Sequence, residues 1–406
     1  MTLRVLLVIV GSLLMADPGR AQDSGPVTPL TLEAALALAQ RVNPVAGAAA
    51  ARQRVDSAAI RQAAERPNPE GHLEFERETP NRTYGVQVPV ELGGKRSRRL
   101  AVATATYREG EASVAQQLFA LRTEVRVAFV EQVAAERRLD LLSQLTALAT
   151  RIRDSASQRF SAGDISRLDL VQAELALTRA RADATAAAGV LAAARIRLNT
   201  LLVVPAGART RIAPPADVEP PPVAAVMPLA LNASTALLVM DRAIDTQLAR
   251  IAMARATQVP DLAPDITLTR GAEPDFATGW RAGLAVSLPL FTRHRSGVQL
   301  EEAELTRLSL ARQVTTSRLA GDVAAAAAGA TASWDALQGL RTDALPRAEE
   351  TERMAEDAYA LGQTGIAPVL QALQAAREIR LMEVEATRTF HLSLADLEQA
   401  AGTPLP

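Results

Sequence analysis

The chain has 406 residues, a formal net charge of −1 and no cysteine. A near-neutral charge gives no reason to expect a nucleic-acid partner, and the lack of cysteine excludes disulfides, thiolate metal sites, thiol catalysis and lipid modification of an N-terminal cysteine. Apolar residues make up 48% of the chain but aromatic residues only 3%, which favours narrow helix–helix contacts over a thick globular core.

The N-terminus has the pattern of a secretory signal peptide. Arg4 precedes an apolar run over residues 5–15, and the small residues before Gln22 predict cleavage after Ala21. This run is too short for a membrane-spanning helix, which needs about 20 apolar residues. The alternative is an N-terminal core helix or anchor. No later stretch has the length and apolarity of a transmembrane helix, so we expect an exported protein without a helical span.

The first half of the mature chain, residues 22–204, begins with a helix and a β-hairpin. Apolar residues at helical spacing predict a helix over residues 29–66, with Thr31 as its N-cap and an interruption at Asn43 and the proline that follows. Two alternating segments over residues 71–92 predict a hairpin in which each strand has one apolar face.

Two further helices complete this half. Residues 95–161 contain no proline and a single glycine, which predicts one helix about 100 Å long. A break over residues 161–166 separates it from a shorter helix that ends near Leu202. Proline then recurs over residues 205–222, which predicts a linker.

The second half, residues 223–406, repeats this plan. It predicts a helix, a β-hairpin, a long helix interrupted only by glycines and Pro346, and a last helix after a second break. The predicted ranges are 223–258, 264–291, 295–361 and 368–401.

An internal repeat relates the two halves. The segment RFSAGDISRLDLVQA at 159–173 aligns with AYALGQTGIAPVLQA at 358–372, and Pro89 aligns with Pro289, both at a separation near 200 residues. This period is too long for a solenoid unit, so it predicts duplication of a whole module. In each half the two shorter helices together match the long one in length, which predicts that they stack end to end beside it.

The four predicted strands have the pattern of a membrane barrel, with one apolar and one polar or small face. The alternative is two hairpins that cap a soluble helical domain. Four strands cannot close a barrel, since the smallest single-chain membrane barrels have about eight, and open sheet edges are not tolerated in lipid. If these strands span a bilayer, the chain must oligomerise, and a trimer would supply twelve strands.

The sequence resembles the TolC family of outer-membrane efflux channels along nearly the whole mature chain. RPNPE and VELGGKR are most similar to the branch that serves heavy-metal efflux pumps, the CzcC-like proteins. The segments that carry the resemblance are residues 30–44, 66–70, 88–96, 159–175, 288–291 and 359–372.

This resemblance implies a mainly α-helical fold with a small transmembrane β part. It implies a homotrimer whose 12-stranded barrel in outer-membrane lipid continues into a periplasmic α-helical barrel. The implied partners are a periplasmic membrane-fusion adaptor and an inner-membrane pump of the resistance-nodulation-division (RND) type. Pro89 and Pro289 would then lie where barrel strands join long helices, since proline is tolerated at strand margins.

The resemblance also places the periplasmic entrance and the adaptor-docking surface at the two helix breaks. Better-known members carry carboxylates at the positions of Pro368 and Gln371, so that acidic ring is absent here and Asp164 or Asp169 would have to supply negative charge. The alternative is two ordinary helix–helix turns with glycine at the C-cap. The implied residues are Phe160, Gly163, Asp164, Ile165, Asp169 and Gln172 in the first repeat, and Tyr359, Gly362, Thr364, Pro368 and Gln371 in the second.

Nothing in the sequence indicates an enzyme, a cofactor or a metal site. The three histidines, His72, His294 and His391, lie far apart, and no phosphate-binding loop or nucleophile elbow is present. The resemblance implies instead a passive exit duct with heavy-metal cations as its cargo. The alternatives are a TolC-like duct for drugs or for type I protein secretion, and a periplasmic coiled-coil structural or adaptor protein without a barrel.

Overall fold

The computed structural model describes residues 29–75, 77, 82–270, 278–288 and 291–405, so the expected signal peptide lies outside the described residues. A π-helical turn, Leu340–Ala344, lies within the long helical tract of the second half. The strands are β1 (Glu70–Phe75), β2 (Arg82–Gln87), β3 (Leu262–Arg270) and β4 (Gly279–Val286). The helices are α1 (Leu32–Val42), α2 (Pro44–Ala63), α3 (Lys95–Ser161), α4 (Arg167–Leu201), α5 (Val223–Ala233), α6 (Thr235–Ala256), α7 (Arg295–Gly339), α8 (Leu345–Ala360) and α9 (Ile366–Ala401).

The first helical segment is interrupted where the sequence predicts. Thr31 caps α1 by accepting the Ala34 N–H at 3.2 Å. Asn43 ends α1 and caps α2, because its side-chain oxygen accepts the Val45 N–H at 3.0 Å. Pro44 is the first residue of α2, a position where its missing N–H costs no hydrogen bond.

The second half has an equivalent break at Ser234, which we did not predict. Ser234 has ψ 125°, and this extended backbone separates α5 from α6. We expected no later stretch to be long and apolar enough to cross a membrane. By length and composition this was wrong, because a window within Val223–Ala256 has a mean hydropathy of 1.9. The bend at Ser234 makes this segment two helices of 11 and 22 residues.

The two long helical tracts differ at one proline. α3 runs unbroken for 67 residues, as the sequence predicts. Its counterpart becomes π-helical over Leu340–Ala344, and the Leu345 N–H donates to the Leu340 carbonyl. Pro346 explains this, because its ring clashes with the carbonyl four residues earlier and it offers no N–H. The wider turn accommodates the proline without ending the helix.

Each half has its own apolar core, and the two cores are built alike. Leu121 and Val125 of α3 are buried in the first core, and Leu319 and Val323 of α7 are buried at the corresponding positions of the second. The first core includes α1 and the end of α4, and the second includes α5 and the end of α9. Burial of one such side chain stabilises the fold by roughly 1.5–3 kcal/mol.

Ion pairs join the two halves to each other. Glu398 of α9 is buried and accepts from Arg122 Nε at 2.7 Å and from Arg126, both on α3. Further along the same helices, Arg388 donates to Glu131 at 2.7 and 2.9 Å. A polar, directional interface therefore sets how α9 lies against α3.

The proline-rich linker packs against the first core through Ile212. Leu30 and Ile212 form a parallel β-bridge, in which the Leu30 N–H donates to Arg211 and the Ala213 N–H donates to Leu30, each at 2.9 Å. Ile212 is buried in the first core. The linker is thus part of the folded structure.

The four strands form one antiparallel sheet in the order β1-β2-β3-β4. The central pairing joins β2 of the first half to β3 of the second, for example Val86 opposite Ile266. β2 and β4 end at Gln87 and Val286, five residues before the predicted ends of the hairpins. The chain leaves β2 through Gly93 and Gly94, whose φ values are 68° and 71°.

Candidate functional site

The turn between α3 and α4 is a compact C-cap centred on Gly163. Gly163 has φ 83°, and its N–H donates to the Phe160 carbonyl at 3.0 Å. The Asp164 N–H donates to the Arg159 carbonyl at 2.8 Å. These two bonds define a Schellman motif, which satisfies the last carbonyls of a helix.

The turn between α8 and α9 has the same geometry. Gly362 has φ 70°, its N–H donates to Tyr359 at 3.0 Å, and the Gln363 N–H donates to Ala358 at 2.9 Å. Any residue with a side chain would be strained in this left-handed backbone at either position, at a cost of roughly 1–2 kcal/mol. The predicted pair of glycine turns is therefore present at both breaks.

The two aspartates of the first turn have different surroundings. Asp169 forms a capping box with Ser166: its N–H donates to Ser166 Oγ at 3.2 Å, and its carboxylate accepts the Ser166 N–H at 3.1 Å. Asp164 is exposed. Asp169 thus has a structural role at the start of α4, whereas Asp164 is the aspartate that presents its charge to solvent.

A small apolar cluster holds the two turns together. Tyr359 is 7% exposed and packs with Ile366 and Val369 of α9 against Ile152 and Ala173 of the other hairpin. Ile165 and Leu170 pack partly buried against the same cluster. The two helical hairpins therefore share an apolar contact at their ends.

Arg159 also contacts Tyr359 of this cluster. Its guanidinium lies 4.9 Å from the centroid of the Tyr359 ring, and its Nη1 donates to the Tyr359 carbonyl at 3.3 Å. The Tyr359 hydroxyl and the Gln172 side-chain oxygen are buried and have no hydrogen-bond partner among the described residues. Sequence reasoning selected Tyr359 and Gln172 but missed Arg159, which has no partner within reach along its own helix.

A salt bridge between the two helical hairpins lies further from the turns. Arg377 of α9 donates to Asp183 of α4 at 2.5 Å, and both side chains are more than a third exposed. Sequence reasoning missed this pair as well, since the two residues are 194 positions apart.

The remaining predicted residues lie around these contacts. Phe160 and Thr364 are half-buried, whereas Pro368 and Gln371 are exposed. Large apolar side chains beside them are also exposed: Leu168, Val171 and Leu175 on α4, and Met354 and Leu361 at the end of α8. Leu168, Val171 and Leu175 recur at helical spacing, so they form one stripe.

Pro89 lies at the margin of the sheet. Val88 and Val90 on either side of it donate to β3 at 3.0 and 2.7 Å, so the side of Pro89 that lacks an N–H faces β1. β1 begins at Glu70, opposite Gln87, and therefore offers no acceptor to Pro89. Pro89 therefore lies between the end of β2 at Gln87 and the start of α3 at Lys95. Pro289 lies outside the described residues.

The two faces of the sheet differ in character. One face presents exposed apolar side chains from all four strands, including Leu73, Ile266 and Trp280. The other face carries His72, whose ring lies over Gly85, so that a Cβ on Gly85 would come within 1.9 Å of the imidazole. Within the described part of the chain, no group of three or more His, Asp or Glu side chains could hold a metal ion.

Comparison with known proteins agrees with this architecture. Residues 35–203 and 226–403 match the family described as outer membrane efflux protein. The chain is 28% identical over 369 residues to the cobalt-zinc-cadmium resistance protein CzcC of Cupriavidus metallidurans, covering 87% of this chain and 85% of that protein. It is 26% identical over 245 residues to the nickel-cobalt-cadmium resistance protein NccC of Alcaligenes xylosoxydans xylosoxydans, covering 60% of this chain and 54% of that protein. The crystal structure of the outer membrane protein VceC of Vibrio cholerae superposes with a TM-score of 0.73 at 17% identity, covering 92% of this chain and 96% of that one.

Proposed function

The chain belongs to the outer membrane efflux protein family of TolC-like channels, and from this premise we propose that it is the outer-membrane duct of a tripartite pump for heavy-metal cations. The family consists of channels, not enzymes, that form trimers within tripartite pumps. The expected export signal over residues 1–21 supports this destination. The alternative of a periplasmic coiled-coil protein was wrong, because the family resides in the outer membrane.

The observation that carries the proposal is the open sheet. β1 and β4 are its two edges, and its apolar face is exposed in the protomer. Unpaired edges are not tolerated in lipid, so β1 of one copy must pair with β4 of another. Three copies would close a barrel of twelve strands, which is within the range of membrane barrels. The long helices would then continue as a second barrel in the periplasm.

The proposed cargo follows from the two curated relatives, whose names refer to resistance to cobalt, zinc, cadmium and nickel. A wide aqueous duct passes cations without coordinating them. Selection and energy would therefore come from an inner-membrane pump of the RND type.

The proposed docking surface for a periplasmic membrane-fusion adaptor is the pair of glycine turns. The stripe of Leu168, Val171 and Leu175 supports this, since an apolar stripe beside polar residues marks a surface for a partner helix. Phe160, Ile165, Asp169 and Gln172 on one hairpin, and Tyr359, Thr364, Pro368 and Gln371 on the other, would position this surface or border it.

Growth of a deletion strain on divalent metals, dyes and detergents tests the proposal. We expect sensitivity to cobalt, zinc, cadmium or nickel alone, restored by the wild-type gene. Sensitivity to dyes and detergents instead would agree with the proposed channel but show that its cargo is drugs. If the strain resists all of these and a type I secreted protein accumulates inside the cell, the secretion alternative is correct.

A further inference from the structure

Both strand-to-helix joins are strongly basic. Residues 95–99 and 293–295 contain six permanent cations, Lys95, Arg96, Arg98, Arg99, Arg293 and Arg295, together with His294. Lys95 pairs with Asp261 at 2.7 Å and Arg99 pairs with Glu91. Arg98, Arg293 and Arg295 are exposed and form no ion pair with any residue that the structure describes. Each protomer thus presents at least three uncompensated cations at its two strand-to-helix joins.

Helix stability does not account for these cations. They lie at or just before the first turns of α3 and α7, where the positive end of the helix dipole disfavours basic side chains. Neither helix has an acidic residue in its first turn or a side-chain N-cap. Their placement opposes the local electrostatics, so an external anion would stabilise them.

A cavity of about 370 Å³ lies between the two joins. Its polar wall includes His294, which precedes α7, the hydroxyl-bearing Ser287 and Thr292, and the ion pair of Lys95, which begins α3, with Asp261. Its apolar wall includes Leu288 and Phe291. The cavity therefore combines groups from both joins, which are about 200 residues apart in sequence.

The apolar wall continues the lipid-facing side of the sheet. Trp280, Leu284 and Val286 lie on the apolar face of β4 and are exposed. Leu288 follows in the same alternation, and Phe291 is fully exposed. An exposed aromatic ring beside basic residues at the end of a membrane strand is typical of the lipid headgroup level.

We propose that this cavity and the cations around it bind the phosphate group of an anionic phospholipid from the periplasmic leaflet of the outer membrane. Arg98, Arg293 and Arg295 supply the uncompensated positive charge that attracts the phosphate, and His294 and the hydroxyls of Ser287 and Thr292 line the cavity beside it. Leu288 and Phe291 contact the acyl chains. The helices extend into the periplasm, so the joins lie on the side of the membrane where this leaflet is. The site requires only the outer-membrane location and is independent of the cargo.

Lipid binding to the purified, detergent-solubilised protein tests this proposal. Native mass spectrometry would compare phosphatidylglycerol with zwitterionic phosphatidylcholine and with lipopolysaccharide. We expect tighter binding of phosphatidylglycerol and weaker binding in high salt. The variant Arg98→Gln/Arg293→Gln/Arg295→Gln should lose most of its preference for phosphatidylglycerol over phosphatidylcholine, since Lys95 is already paired with Asp261 and these three cations are the uncompensated ones.

Matched variants separate a local site from a general charge effect. Arg54→Gln/Arg181→Gln/Arg209→Gln removes three exposed cations elsewhere and should leave binding unchanged. Phe291→Ala should weaken the binding of both lipids to the same extent. Equal binding of the two lipids by the wild type, unchanged phosphatidylglycerol binding in the first triple variant, or binding of lipopolysaccharide alone would each overturn the proposal.

Discussion

His391 and Asp217 join the last helix to the proline-rich linker: His391 Nε2 lies 2.7 Å from Asp217 Oδ1. The other Asp217 oxygen accepts from Arg341 at 2.7 Å, and Arg341 in turn donates to Glu383 at 2.9 Å. This network lies at the π-helical turn that precedes Pro346. It fixes the linker at the point where the long helix of the second half is least regular.

Acidification should weaken this network. Burial lowers the pKa of His391 below its ordinary value despite the bond to Asp217. Burial alone would raise the pKa of Asp217, but Arg341 and His391 together hold it lower than usual. A histidine kept neutral in the fold binds more protons when unfolded, so its contribution is fully present above about pH 6.5 and is lost as the pH falls below that value. Asp217 loses its contribution only at more acidic pH.

The expected outcome is a melting temperature that falls between pH 7 and pH 5 in the wild type and falls less in His391→Gln. Differential scanning fluorimetry across that range measures it. His72→Gln, which changes an exposed histidine, is the control and should retain the wild-type slope. A His391→Gln profile parallel to that of the wild type would show that another group is responsible.

Glu398→Gln should be strongly destabilising. The side chain is only 3% exposed and lies against Arg122 and Arg126, so the substitution leaves two cations without their counter-charge. Loss of one partner of a buried pair costs about 3 kcal/mol or more. Urea unfolding should show a lower midpoint with an unchanged slope. Glu304→Gln, in an exposed pair with Arg307, should have little effect, and equal losses in both variants would contradict the special role of Glu398.

Sequence reasoning succeeded where the signal is local. The ends of α3 and the left-handed glycines at 163 and 362 follow from residue types that permit one backbone geometry and exclude others. The Ser234 break was missed because serine is a weaker signal than the Asn43-Pro44 pair in the first half. The contacts of Asp217 were missed for another reason. Its partners lie 124 and 174 positions away, and nothing near it in sequence indicates which helix the linker contacts.

The candidate site shows the same division. The resemblance selected the glycines and Tyr359, and the structure places them at two equivalent turns. It did not indicate that Asp169 would be occupied by the capping box or that Arg159 would cover the Tyr359 ring. The first could have been predicted, because Ser166 and Asp169 have the spacing of a capping box. The second depends on a contact between residues 200 positions apart, which residue spacing does not encode.

Gly362→Val should impair the second turn. Valine is strained at φ 70°, at a cost of roughly 1–2 kcal/mol, so the turn would change shape and adaptor crosslinking at that position should fall. Gly362→Asn is the matched control, because asparagine tolerates the left-handed region. Normal crosslinking and metal resistance in Gly362→Val would show that this turn geometry is dispensable.

Reversing the bridge between Arg377 and Asp183 should test whether it holds the entrance closed. Each single change, Arg377→Asp or Asp183→Arg, places like charges together and should raise single-channel conductance in planar bilayers. An exposed pair contributes roughly 0.2–1 kcal/mol, so three copies in a trimer would shift a closed-to-open equilibrium by roughly threefold to a hundredfold. The double variant restores opposite charges and should return conductance toward the wild-type value. Conductance that stays high in the double variant would mean that the two residues act separately, and conductance unchanged in all three would mean that the closure lies elsewhere.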